Sequence, residues 1–254
     1  MLYDFSVPEV VCEAGLMEDS RSPDFWLNSG AKFIIADGKG ETIQGPLPAD
    51  DKWRIYYQKE NPTETQNGYY PQNIFRLVTR REWKDFVQEL QFRITKVNLA
   101  EAPERKCTNG VFFFSRHRDS KNVYYPGLRV DGQAIIKKKI KKNVSDREGT
   151  YYTLAEKSSV FSNGMPYHRW TNPNLIPQDR WIGLRSQVRD LSNGKVMIEL
   201  WLDRDNTGNW EQLLTASDEP GRQEGTDIIH GPAHAGIRTD FFDAQFRNYR
   251  IDEV

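Results

Sequence analysis

Cysteine is nearly absent: Cys12 and Cys107 are the only two in 254 residues. Two thiols cannot alone supply the four ligands of a structural zinc site. They leave open either one disulfide in an oxidising compartment or two free thiols. A positive excess is also missing, with 35 Lys+Arg against 36 Asp+Glu and a formal net charge of −1. That balance argues against a generic nucleic-acid or membrane-surface binder, although it leaves room for a local basic patch. No apolar run approaches the roughly 18 residues of a membrane span. The chain begins Met-Leu-Tyr-Asp, with neither a charged n-region nor an apolar h-region. It is therefore either cytosolic or extracellular after removal of a signal peptide.

Familiar catalytic text is lacking too. The sequence holds no G-x-S-x-G elbow, Walker loop, H-E-x-x-H or C-x-x-C pair. No His lies near either cysteine in sequence, so a thiol nucleophile has no support. Asp203–Gly208 partly matches a calcium loop, but Leu214 stands where the bidentate Glu belongs, and the segment reads as a hairpin turn.

What remains is aromatic and alternating. Apolar residues make up only 37% of the chain, yet aromatics reach 12%, which excludes disorder for the bulk. No segment carries a convincing helical stripe. Short alternating segments rich in Val, Ile, Phe, Tyr and Thr recur between Gly, Asn, Asp and Pro. They predict strands at Asn73–Thr79, Phe86–Val97, Gly110–Arg116, Asn122–Val130, Gln133–Lys141, Thr150–Glu156, Trp181–Asp190, Lys195–Asp203, Trp210–Ser217, His234–Thr239 and Ala244–Ile251. The expected fold is all-β: one antiparallel two-sheet sandwich over residues 1–254. The first 70 residues read as an N-terminal strand plus long surface loops. Asn163–Pro177, with Tyr167, His168, Arg169 and Trp170, reads as a long loop, either functional or a cover over a sheet edge.

Alternation separates the faces. Leu90, Phe92 and Ile94 point inward, and Glu89, Gln91 and Arg93 outward. Tyr124, Leu128 and Val130 point inward; Tyr125, Gly127 and Arg129 outward. Ala134, Ile136 and Ile140 oppose Lys137 and Lys139, and Ala235 and Ile237 oppose His234, Gly236 and Arg238. The outward face thus gathers Arg, Lys, Gln, Tyr and His with few carboxylates. Cations so gathered repel one another unless an anion is to be bound, whereas Lys138, Lys141 and Lys142 read as an ordinary solvated run. A two-residue turn at Asp131-Gly132 would set Arg129 opposite Ala134 and contradict these faces, so a three-residue loop containing Gly132 is expected. His117 shares the parity of Val111 and Phe113, which places it at the end of a core face.

Four late segments carry a family likeness: Trp181-Ile182-Gly183-Leu184-Arg185, Val196–Asp203, His234–Asp240 and Ala244–Ile251. Their order resembles the concanavalin-A-like lectin/glucanase superfamily, which implies a jelly roll and a secreted, carbohydrate-active protein. That superfamily holds lectins, hydrolases and lyases, so the fold alone names no reaction. Retaining and inverting glycosidases need a carboxyl pair, and Glu89 and Glu199 each stand alone on their strands. Gln88-Glu89-Leu90-Gln91, Ser115-Arg116-His117 and His234–Arg238 are faintly similar in order to the motifs of alginate-lyase-like jelly rolls. They depart from them in both arginines of the first motif, the Gln-Ile of the second and the tyrosines of the third.

A lyase acting on a uronate-containing polysaccharide is the leading expectation. A non-catalytic carbohydrate-binding module is the rival, and a glycoside hydrolase comes third. A lyase must neutralise a uronate carboxylate and move a proton. Arg129 and Arg238 with Gln91 would do the first, and Tyr125 or His234 the second, with His117 kept as a further catalytic candidate. Arg93, Lys137, Lys139, Tyr151, Tyr167 and Trp170 would bind substrate. The chemistry calls for no cofactor; a structural calcium is conceivable, with Asp243 as its ligand. The expected partner is a polysaccharide, not nucleic acid or membrane, and the expected state is a monomer.

Overall fold

A computed structural model describes residues 1–254. Sixteen strands and one α-helix follow in the order β1 Leu2–Tyr3, β2 Glu9–Cys12, β3 Phe25–Ser29, β4 Lys32–Ala36, β5 Lys39–Thr42, α1 Lys52–Glu60, β6 Ile74–Trp83, β7 Phe86–Val97, β8 Gly110–Asp119, β9 Asn122–Arg129, β10 Ala134–Ile140, β11 Thr150–Lys157, β12 Ile182–Asp190, β13 Val196–Asp203, β14 Glu211–Asp218, β15 Ala233–Asp240 and β16 Phe242–Glu253. One sheet runs β14-β13-β12-β7-β16-β5-β4-β2, with β1 also on β16, and has nine strands. The other runs β11-β10-β9-β8-β15-β6-β3 and has seven. All strand pairs are antiparallel. The all-β sandwich expected from alternation is the architecture found. No helix is long and apolar enough to cross a membrane.

The inner faces meet in one core. Phe33, Phe75 and Phe246 pack across the sheets with centroids 5.7 to 6.2 Å apart, and Leu90, Phe92, Ile136, Leu200 and Ile237 are all within 2% of full burial. Each such side chain contributes roughly 1.5–3 kcal/mol relative to exposure.

Two expectations need correction here. The first 70 residues hold five strands and a helix, built into both sheets. The strands are two to five residues long, too short for a period of two to stand out, and β5 reads Lys-Gly-Glu-Thr. The helix has a single buried side chain, Tyr57, and therefore no apolar stripe to read. Its cap Asp51 accepts from Trp53 N at 2.8 Å. Lys138 is the second correction: it is fully buried between the sheets, 3.0 Å from Asp218, and donates to Asp227 O. Asp218 also accepts from Tyr124 Oη at 2.7 Å.

The β9–β10 hairpin closes through the three residues Val130, Asp131 and Gly132. Arg129 N donates to Gln133 O at 2.8 Å, and Gly132 N to Arg129 O at 3.0 Å. Gly132 takes φ of 78°, a left-handed angle that costs a β-carbon dearly. Tyr125 consequently stands directly opposite Lys137, as the odd loop requires. Both cysteines are free.

Candidate functional site

Apolar side chains floor the outer face of the seven-stranded sheet, an unusual finish for a face turned to solvent. Val78, Phe112, Phe114, Val123, Tyr125 and Ile135 form a second buried cluster there, packed against Met17 and Trp26. Gly127 permits this floor, because a β-carbon would lie 2.3 Å from Val111 O and 2.6 Å from the Phe112 ring. Long polar side chains from β6, β10, β11 and β15 then lie across it.

Arg238 reaches furthest. Its guanidinium lies 5.9 Å from the Phe112 ring centre and 5.1 Å from that of Tyr125. Its Nε is bound to Asp240 at 3.1 and 3.2 Å, and Nη1 donates to Tyr151 Oη at 3.3 Å. Arg76 Nη2 holds the same Asp240 at 2.8 Å. From the opposite side Lys137 Nζ stands 4.7 Å from the Phe112 ring centre and 5.6 Å from that of Tyr151, and Lys139 Nζ 5.1 Å from the Tyr151 ring. Lys137 and Lys139 have no ion-pair partner. Four cations therefore share one carboxylate around two phenols whose ring centres are 5.8 Å apart.

The field splits the two tyrosines. Burial raises the Tyr151 phenol, but Arg238, Lys139 and Arg76 more than reverse this and hold it below the ordinary phenol range. Burial drives Tyr125 well above that range, and Arg238 offsets only part. Burial, reinforced by Arg238 and opposed by Asp240, pushes the Lys137 ammonium down to about 8. Burial would raise Asp240, but Arg238 and Arg76 prevail and keep it ionised. A phenol made easier to ionise, an ammonium whose pKa falls to about 8 and spare cations are thereby gathered on one open surface, on which Tyr151 remains 45% exposed. A cavity of about 530 Å³ lies at the far end of β8 among Arg118, Asp190, Lys195, Asp227 and His230, where charges of both signs single out no ligand.

His117 and His234 also reach this face, contrary to the parity reading of His117. Arg116 adopts φ of 55° within a bulge, so the strand spends an extra residue. Arg116 turns inward to Asp85 and Asp190, and His117 comes out against Phe114, paired with His234 on β15. Burial, then His234, pushes the His117 imidazole down to about 4, so it is neutral at pH 7.

Other sequence candidates are not brought together with this cluster. Gln91 and Arg93 belong to β7 and project from the opposite sheet, where Gln91 accepts from Arg247 Nε at 2.5 Å and Arg93 donates to Gln245 Oε1. Alternation tells inside from outside but not which sheet a strand joins. Arg129 shares the right face, but its Nη2 is bound to Asp131 at 2.5 Å. It closes the hairpin rather than offering a free cation. Tyr167 is half-buried against the core, and Trp170 is 46% exposed with Arg105 and Arg169 stacked 4.4 and 5.2 Å from its ring. Asp243 is buried and saturated by Gly45 N, Gln72 Nε2 and Asn98 Nδ2, so it does not present a calcium ligand. No group of three or more His, Cys, Asp or Glu converges anywhere in the chain. Sequence reasoning missed Arg76, the third residue of β6, and Asp240, the last residue of β15, as members of the site.

No family model and no curated protein sequence matches this chain. Solved structures do. The carbohydrate-binding module CBM66 from Bacillus subtilis is 14% identical, with 71% of this chain and 82% of that one covered and a TM-score of 0.44. LamAcat from Zobellia galactanivorans is 8% identical over 100% of this chain and 96% of that one, with a TM-score of 0.46. The metal-free carbohydrate recognition domain of Emp46p is 12% identical over 100% and 99%, with a TM-score of 0.47. At such low identity and TM-score, what this chain does must be read from its own side chains.

Proposed function

We propose that this face binds an acidic, uronate-containing polysaccharide and cleaves it by β-elimination. The observation that carries the reading is the depressed Tyr151 phenol among four cations and one carboxylate. Groups whose environments drive their pKa values apart are the natural acid and base of a site. Arg238 Nη2 and Lys139 would neutralise the uronate carboxylate, which makes the neighbouring C5 proton acidic. Tyr151 as phenolate takes that proton. The electron pair forms the C4=C5 double bond, the bond from C4 to the glycosidic oxygen breaks, and Lys137 gives its proton to that oxygen. Tyr125, buried and held protonated, supports the Tyr151 ring from below. A hydrolase is disfavoured because Asp240 is the only carboxylate here, and it is already claimed by two arginines. Polysaccharides of this kind are met outside the cell, which agrees with the extracellular reading.

A screen of acidic and neutral polysaccharides tests this, with the ultraviolet absorbance of the unsaturated uronate as readout. Absorbance growing with an acidic polymer alone is the expected result. Tight binding without product would instead leave a binding module. The pH profile gives a second check. Lys137 must be protonated to donate, so kcat/KM should fall as pH rises through about 8. Lys137→Arg should remove that alkaline limb and lower turnover, since guanidinium stays protonated throughout the range. An unchanged limb in the variant would assign it to another group.

A further inference from the structure

The cation cluster does not end the floor. Ring centres step from Tyr151 to Tyr125 (5.8 Å), to Phe114 (5.5 Å), to His117 (5.0 Å) and to Trp26 (6.4 Å). This track crosses the strands from β11 to β3 and leads into a cavity of about 400 Å³ lined by Met17, Trp26, His117, Arg118, Asp119 and His234. Adjacent strands lie about 4.8 Å apart, so a seven-stranded crossing spans on the order of 29 Å. A polymer of several sugar rings can lie along it.

The cavity differs in chemistry from the cluster. Trp26 is fixed by its indole N–H on Ala14 O at 2.8 Å, which leaves the ring as a rigid wall. His117 is 5% exposed, and its Nδ1 has no hydrogen-bond partner; His234 Nδ1 is likewise unpartnered. Arg118 is the only Lys or Arg on the lining. It donates to His230 O and is offset by Asp119 and by Glu82, which lies 3.9 Å from His234 Nε2. A second carboxylate desolvated against Trp26 and Met17 would meet no net positive charge, because Asp119 and Glu82 stand against the single Arg118, whereas an uncharged ring offers an apolar C–H face and hydroxyls.

We infer that the Trp26–His117–His234 cavity seats an uncharged sugar of the same chain whose uronate occupies the Arg238–Tyr151 cluster. The substrate class is then a heteropolysaccharide in which uronate alternates with a neutral sugar. This rests on the acidic-polysaccharide reading but not on the elimination step.

Two probes test it: an unsulfated alternating uronate–N-acetylhexosamine polymer and a homopolyuronate, each assayed by affinity electrophoresis and by ultraviolet product. The wild type should bind the alternating polymer at least about tenfold more tightly. Trp26→Ala should shrink that preference below about threefold, and Trp26→Phe should restore most of it. Trp181→Ala, on the other sheet, should leave it unchanged. Equal affinity of the wild type for both polymers overturns the inference, as does a Trp26→Ala loss equal for both, which would mark a structural role. Thermal unfolding of each variant separates misfolding from a lost contact. The preference without any unsaturated product would end the lyase reading and leave this inference standing. Binding of neither polymer would end both.

Discussion

Tyr151→Phe is expected to lower turnover of the cleaved polysaccharide by roughly 10²–10⁴-fold, the usual worth of a positioned proton-transfer group. The ring would remain to meet Lys139, Lys137 and Tyr125, so substrate affinity and thermal stability should change little. Only the oxygen, which accepts from Arg238 Nη1, is lost. A KM-against-kcat comparison with initial rates at pH 7 makes the distinction. A fall in affinity at constant kcat would demote Tyr151 to a binding group. Tyr125→Phe offers a contrast, since burial keeps that phenol protonated and it does not take the substrate proton. Its effect on kcat should be much smaller.

The second large effect concerns the interior. Asp218→Ala would strand the Lys138 ammonium, which is fully buried, and deprive Tyr124 Oη of its acceptor. Breaking one side of a buried pair costs about 3–5 kcal/mol. For a chain of this size that lowers Tm by on the order of 10 °C. Replacing both partners, as Lys138→Met with Asp218→Leu, should recover most of the loss because no unpaired charge remains. Differential scanning calorimetry of the three proteins reads the result. Equal destabilisation by the single and double changes would show that packing around Tyr124, rather than charge, governs the site.

Legibility from the sequence follows strand length. From Ile74 onward every strand was readable, because runs of seven to twelve residues alternate clearly, as in Phe86–Val97. Alternation also assigned Tyr125, Lys137, Lys139, His234 and Arg238 to an outward face, and the conflict of faces at Asp131-Gly132 was enough to demand the odd loop. Three things were not written there. Strands shorter than six residues carry too few repeats to show a period. The bulge at Arg116 reverses parity without a glycine to announce it, which misplaced His117. Membership of a sheet depends on long-range pairing, so Gln91 and Arg93 were grouped with residues that lie across the core from them.

The run Lys137-Lys138-Lys139 has a consequence for how the chain finds this structure. In the native register the middle lysine enters the core to meet Asp218, and its neighbours face out. A slip of β10 by one residue would exchange the faces. Two ammonium groups would then enter an apolar gap that holds one carboxylate for them, and Ile136 and Ile140 would turn to water. The neighbouring register is thus penalised by charge as well as by lost burial. A triplet that looks like plain solubilising text favours one strand alignment over its neighbour by the placement of charge.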